Sequence, residues 1–131
     1  MAPKKRQCVC EFEINASTKM LYPYLYTAGG LAQWFCDDVT VDEDKNFNFI
    51  WDGNDHKAKL VSHRVNNFVR FEFIPDENEN DPSYFELRLE MNELTESVFL
   101  KIIDYSDFED EDELRDLWEG LIGDLKEIVG G

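Results

Sequence analysis

Basic side chains are scarce in this chain: 13 lysines and arginines stand against 29 aspartates and glutamates, giving a formal charge of -16 over 131 residues. A field of that sign repels phosphate backbones and anionic headgroups, which argues against nucleic acid and membrane surfaces as partners. The one basic cluster, Lys4, Lys5 and Arg6, belongs to what reads as a short flexible tail over residues 1–6. Long apolar runs are also missing. Nothing approaches the roughly 20 residues that cross a bilayer, and no signal-peptide core precedes Cys8, so a cytoplasmic protein without membrane insertion is expected. The chain carries 3 cysteines, which cannot all pair with one another. Cys8 and Cys10 form a C-x-C spacing rather than the C-x-x-C of redox and zinc motifs, and buried free thiols are the expectation.

Catalytic and cofactor signatures are equally sparse. There is no G-x-S-x-G elbow, no P-loop and no G-x-G-x-x-G. The 2 histidines, His56 and His63, stand at an odd separation on one expected strand, which points them to opposite faces unless a bulge intervenes. Cys8, Cys10, Cys36 and a histidine match no common zinc spacing. The acidic runs Asp76 to Asp81 and Asp107 to Glu113 lack the cadence of a calcium loop and read as a solvated loop and a helix cap. No catalytic residue, metal ligand or cofactor is therefore assigned.

What the chain does have is 43% hydrophobic residues, of which aromatics are 14% of the whole, enough to build a core. Its length fits one domain, 1–131. Alternation from Cys8 to Asn15 marks a first strand, with Cys8, Cys10, Phe12 and Ile14 on one face. Ser17 can cap a helix presenting Met20, Leu21, Tyr24 and Leu25, which Pro23 shortens or kinks. Gly29 and Gly30 then break the chain before a second short helix from Leu31 to Phe35. Strands separated by turn residues follow: Val39 to Val41, Phe47 to Trp51, His56 to Val65, Phe68 to Ile74, Phe85 to Met91 and Val98 to Tyr105.

The final segment is strongly amphipathic. Leu114, Leu117, Trp118, Leu121, Ile122, Leu125, Ile128 and Val129 fall within an arc of roughly 140° on a helical wheel. Asp110 is a candidate N-cap at the end of an acidic first turn, and Gly130 can terminate the helix. Gly120 and Gly123 fall outside the arc. Such a helix needs a broad apolar partner, which the inward positions Phe12, Phe47, Phe49, Trp51, Phe71, Phe73, Phe85, Leu87 and Leu89 supply. The expected fold is α+β, a helix-grip in the order β-α-α-β6-α, with a curved antiparallel sheet of about seven strands wrapped around the long C-terminal helix.

Leu25, Thr27, Leu31, Ala32, Gln33, Trp34 and Phe35 resemble the Leu, Thr and Leu-Ala-x-Trp-aromatic box of the START-like (SRPBCC) superfamily, in the branch containing the activator of the ninety-kilodalton heat-shock ATPase. Phe47, Phe49, Trp51, Asp52 and Gly53 resemble that branch's aromatic hairpin. Asn67 to Phe71 resemble its next strand, and Trp118, Leu121 and Leu125 its last helix. Small acidic START-like proteins of Bacteroidetes are similar as well. The sequence departs from the pattern at Asp55, His56 and Lys57, where a small-residue turn is usual. The resemblance implies a non-enzymatic domain binding a small apolar ligand in a cavity between the C-terminal helix and the sheet. Phe12, Trp34, Phe49, Trp51, Phe71, Leu87, Trp118 and Ile122 are the expected wall residues. The alternative is a protein-interaction or chaperone-cofactor module whose acidic exterior docks a basic protein partner.

Overall fold

The computed structural model describes residues 5–75 and 80–130. Strand β1 (Arg6–Ile14) buries Cys8, Cys10 and Ile14 on one face, with Phe12 half-buried beside them. Residues 1–4 of the expected tail, and Asp76 to Glu79 of the first acidic run, lie outside the described residues. Lys5 donates to the carbonyl of Asp81, and Arg6 donates to those of Phe108 and Glu109.

Helix α1 (Thr18–Tyr26) starts where the Ser17 hydroxyl accepts the Met20 N–H at 3.1 Å. It buries Leu21, Tyr22 and Leu25, while Met20, expected inside, is exposed. Pro23 lies within its last turn. The glycine pair does not break the chain there as expected. Helix α2 (Ala28–Leu31) contains both Gly29 and Gly30, and residues 32–35 form turns instead of the expected helix. Thr27 sets this start: its Oγ1 accepts the Gly30 N–H at 2.9 Å and donates to the Pro23 carbonyl at 2.8 Å. Gly30 is required by close approach, since a Cβ there would stand 2.3 Å from the Pro23 carbonyl oxygen.

Strands β2 (Asp38–Val41), β3 (Asn46–Trp51), β4 (Asn54–Arg64), β5 (Phe68–Phe73), β6 (Tyr84–Asn92) and β7 (Ser97–Ser106) join β1 in one 7-stranded sheet of order β1-β7-β6-β5-β4-β3-β2. Every pairing is antiparallel. Asp52 and Gly53 both adopt positive φ, 51° and 78°, in the two-residue β3–β4 turn, as the right-handed twist of a hairpin favours. Side chains of Asp42 and Asn92 accept backbone N–H groups in the β2–β3 and β6–β7 turns.

The β4–β5 register shifts between Leu60 and Ser62. This bulge reverses the parity of the strand beyond it. His56 sits opposite Phe49 and His63 opposite Val69, so both occupy the concave face. They remain apart, His56 beside Trp51 and His63 beside Tyr22 and Tyr26.

Helix α3 (Glu111–Val129) lies across the concave face, capped by Asp110, whose carboxylate accepts the Asp112 and Glu113 N–H groups, and ended by Gly130 at φ 78°. Trp118, Ile122 and Leu125 are buried, and Leu114, Leu121 and Val129 pack partly against the core. Two members of the expected buried stripe are not covered: Leu117 is 58% exposed and Ile128 37%. On the wheel these two lie together at one margin of the arc, so the sheet grips the helix off-centre.

Gly30→Ala should destabilise the fold by about 1–3 kcal/mol through overpacking against backbone. Gly120→Ala and Gly123→Ala, where an added Cβ meets nothing within 4 Å, should each add about 0.5–1 kcal/mol by helix propensity. Urea unfolding of the three variants checks both signs.

Candidate functional site

Beside α3, on the side of its uncovered margin, the sheet and the 32–37 segment enclose a half-open cleft of about 640 Å³. That lies within the roughly 300–1,000 Å³ typical of small-molecule pockets. Trp34, Phe35, Trp51, Phe73, Phe85 and Trp118 form its apolar wall. Leu117, Leu121 and Asp124 of α3 overhang it. The polar groups at its margin are Gln33, Asp37, Asp52, Ser83, Tyr84, Tyr105 and Ser106, with Asp104 deeper between β7 and α3.

Phe35 is the hub of the wall. Its ring centroid lies 4.8 Å from that of Phe85, 5.1 Å from Trp51, 5.5 Å from Trp34 and 5.7 Å from Trp118. The turns after α2 place it there: its N–H bonds to the Leu31 carbonyl at 2.9 Å and its own carbonyl accepts the Trp51 indole N–H at 2.9 Å. The other two indoles are also satisfied, Trp34 by the Tyr24 carbonyl and Trp118 by Asp104, both at 2.8 Å. With every indole N–H already used, these side chains turn only carbon and π surface to the cleft.

Asp104 is the exception on an apolar face. Alternation along β7 through Val98, Leu100 and Ile102 brings position 104 inward, in register with Cys8 and Phe85. One carboxylate oxygen accepts the Trp118 N–H, the other the Ser106 hydroxyl at 2.8 Å. Burial pushes its pKa above the ordinary carboxylate range, and the two hydrogen bonds offset this only in part. A half-buried carboxyl perturbed by desolvation in a cleft is a candidate functional position.

Of the residues singled out from sequence, Trp34, Trp51 and Trp118 meet at the cleft. Phe49, Phe71, Leu87 and Ile122 are sealed in the core beneath it, and Phe12 packs against that core from β1. The rings of Phe47, Phe49, Phe71 and Phe85 interlock at 5.0 to 6.0 Å, and Phe85 joins this aromatic layer to Trp118 of α3 at 6.3 Å. Phe35, Phe73, Phe85, Asp104, Leu117 and Leu121 line the cleft and are not among the expected wall residues. The inward parity of β7 was the available signal for Asp104.

Of the thiols, Cys36 lines the cleft, while Cys8 and Cys10 lie in the core. All three are free; Cys8 and Cys10 are buried with their sulfurs 3.9 Å apart, while Cys36 hydrogen-bonds to the Asp38 carbonyl at 3.3 Å. Burial, and for Cys8 the neighbouring Cys10, raises Cys8 and Cys36 to about 11, which keeps both protonated and weakly nucleophilic at neutral pH. Among the described residues, no group of three or more His, Cys, Asp and Glu side chains is arranged to hold a metal ion.

A seven-stranded antiparallel sheet gripping a C-terminal helix, with two short helices after the first strand, defines a helix-grip α+β domain. The chain belongs to the START-like superfamily, whose domain matches residues 1–131. A Bacteroides fragilis protein solved by NMR in solution is similar at 34% identity and a TM-score of 0.64, over 95% of this chain and 91% of that one. The Aha1 dimer from Colwellia psychrerythraea is similar at 19% identity and a TM-score of 0.73, over 95% and 96%. Major latex-like protein 151 from Panax ginseng shares 14% identity at a TM-score of 0.69, over 95% and 97%. No curated protein matches the sequence at a significant level. No described helix is long and apolar enough to cross a membrane.

Because its folded pKa is raised, Asp104 binds a proton more tightly in the folded chain than in the unfolded one. Its charged form therefore costs stability at neutral pH, and that cost is relieved as pH falls through the folded pKa. Asp104→Asn, whose Oδ1 can accept the Trp118 N–H while its amide donates to the Ser106 hydroxyl, should raise Tm at pH 7, with the advantage over the parent shrinking at pH values below the folded pKa. Thermal unfolding across that range measures it.

Proposed function

We propose that this START-like domain is a non-enzymatic binder that takes a small hydrophobic ligand into the cleft between α3 and the sheet. The observation that carries this reading is the uncovered apolar margin of α3. Leu117 is 58% exposed and, with Leu121, faces a wall of three indoles and three phenyl rings across about 640 Å³. Apolar surface converging on a concavity from both sides is stabilised when a ligand displaces its water, at roughly 25 cal/mol per Å². The START-like superfamily is one whose domains typically bind hydrophobic ligands, which supports the same conclusion. The solid core below the cleft suits this role, since the fold does not depend on the ligand to fill its interior.

Native mass spectrometry after gentle purification should show a co-purified small molecule. Titration with the neutral probe N-phenyl-1-naphthylamine should change the fluorescence of the three cleft tryptophans. Leu117→Asp should weaken that binding by about tenfold or more, from lost apolar contact and added charge. Folding stability should stay within about 0.5 kcal/mol of the parent, as expected for an exposed position. A cleft that neither carries nor takes up any apolar molecule would overturn the reading, and the acidic exterior would then be the surface to pursue.

A further inference from the structure

Resting on the cleft as a hydrophobic binding site, we infer that its ligand is an amphipathic cation: an apolar body carrying an amine or quaternary ammonium group. The inference comes from which charges line the cleft and which do not. Asp37, Asp52, Asp104 and Asp124 contribute carboxylates to the lining, and no lysine, arginine or histidine does. A fatty acid, a phosphate ester or any other anionic head would meet only like charge there. A neutral ligand would leave Asp104 as it stands, half-buried among rings and held by two uncharged donors. Only a cation complements the set.

The aromatic wall is suited to the same group. The face of an indole or phenyl ring attracts a cation within about 6 Å of its centroid, most strongly where water is excluded. Trp34, Trp51 and Trp118 have committed their N–H groups elsewhere, so ring surface is what they offer.

The outer face of the sheet shows that carboxylate burial without a cation is particular to the cleft. Glu86 is also buried, but Arg88 Nε donates to it at 2.6 Å and Arg70 Nη1 stands 3.8 Å away. Those guanidiniums stack 4.5 Å from the Phe68 centroid and 3.8 Å from that of Tyr84. Carboxylate, aromatic rings and cation thus occur together on that face with the cation supplied by the chain. In the cleft the first two occur and no lining residue is basic; the one lining ring with a guanidinium of the chain over it is Tyr84 at the margin, on the side it shares with Arg70 and Glu86.

The test uses one alkyl chain with three heads: octyltrimethylammonium, octanol and octanoate, each titrated into the full chain at 150 mM salt by calorimetry and tryptophan fluorescence. At that ionic strength exposed charges are screened beyond about 8 Å, so diffuse attraction to the acidic exterior is suppressed. Tetramethylammonium, the head without the tail, measures what remains. The expected order is cation over alcohol over carboxylate, with about tenfold between the first two and negligible binding of tetramethylammonium. Asp104→Asn should bring the cation's affinity close to the alcohol's. The double variant Asp52→Asn and Asp124→Asn, at exposed positions that do not threaten folding, should narrow the same gap to a lesser degree.

Equal affinity for the three heads, or preference for octanoate, would overturn the cationic assignment while leaving a hydrophobic site in place. No binding of any of the three would overturn both readings. A cation preference that survives all the aspartate substitutions would locate it outside the cleft and overturn the inference as well.

Discussion

The structure depends on a mismatch between one helix and the surface available to cover it. Helix α3 carries an apolar arc of roughly 140°, and the concave sheet buries only the part holding Trp118, Ile122 and Leu125. Covering the remainder would require the sheet to curl further over the helix, or a bulky side chain to cross the gap. The β3–β4 hairpin reaches toward that margin but its last inward residue, Trp51, is anchored by a hydrogen bond to the Phe35 carbonyl and meets the Phe35 ring edge to face instead. The cleft is what remains between a helix gripped off-centre and a hairpin tied down beside it.

This arrangement separates stability from the site. The aromatic residues of β3, β5 and β6 interlock around the fully buried Phe49, Phe71 and Leu87, and Phe85 joins them to Trp118 of α3. The cleft draws on the periphery of that core, with Trp118 shared between them. Its ring stacks on Phe35 while its N–H engages Asp104. An apolar residue at 104 would leave that N–H without its partner, at a cost of about 1–3 kcal/mol when buried. An asparagine would satisfy it without the desolvation penalty of a charge. Structure alone therefore does not call for an aspartate.

Much of the fold was legible because its signals are local. Asp110 and Gly130 cap α3, Ser17 caps α1, and Asp52 with Gly53 turns β3 into β4, each through geometry set within a few residues. The period of the strands placed Phe49, Phe71 and Leu87 on the inward face in the same way. What sequence could not distinguish was a wall facing solvent from one facing another ring, because Phe49 and Trp51 have the same parity and differ only in what lies across from them. Two further departures break the simple periodic patterns. The bulge near Val61 alters the parity that placed His56 and His63 on opposite faces, and α2 begins early because Thr27 and Gly30 fit against the backbone of Pro23. Asp104 was visible in the alternation, but a search for apolar walls passes over a carboxylate.

The two carboxylates of β6 and β7 that leave solvent show how differently the two faces of one sheet are used. Glu86 is neutralised by Arg70 and Arg88, whose stems and guanidiniums also cover Tyr84 and Phe68, so its burial closes a surface. Asp104 lies on the opposite face, where α3 offers it the Trp118 N–H. The nearest arginine by sequence, Arg115, is directed elsewhere, toward Glu111 and the Cys10 sulfur. A chain with a surplus of acid over base, 29 against 13, must ration its cations, and here it spends two on the closed face and none on the cleft lining. The consequence is a cleft with an aromatic wall and four aspartates in its lining, and no lysine, arginine or histidine among them.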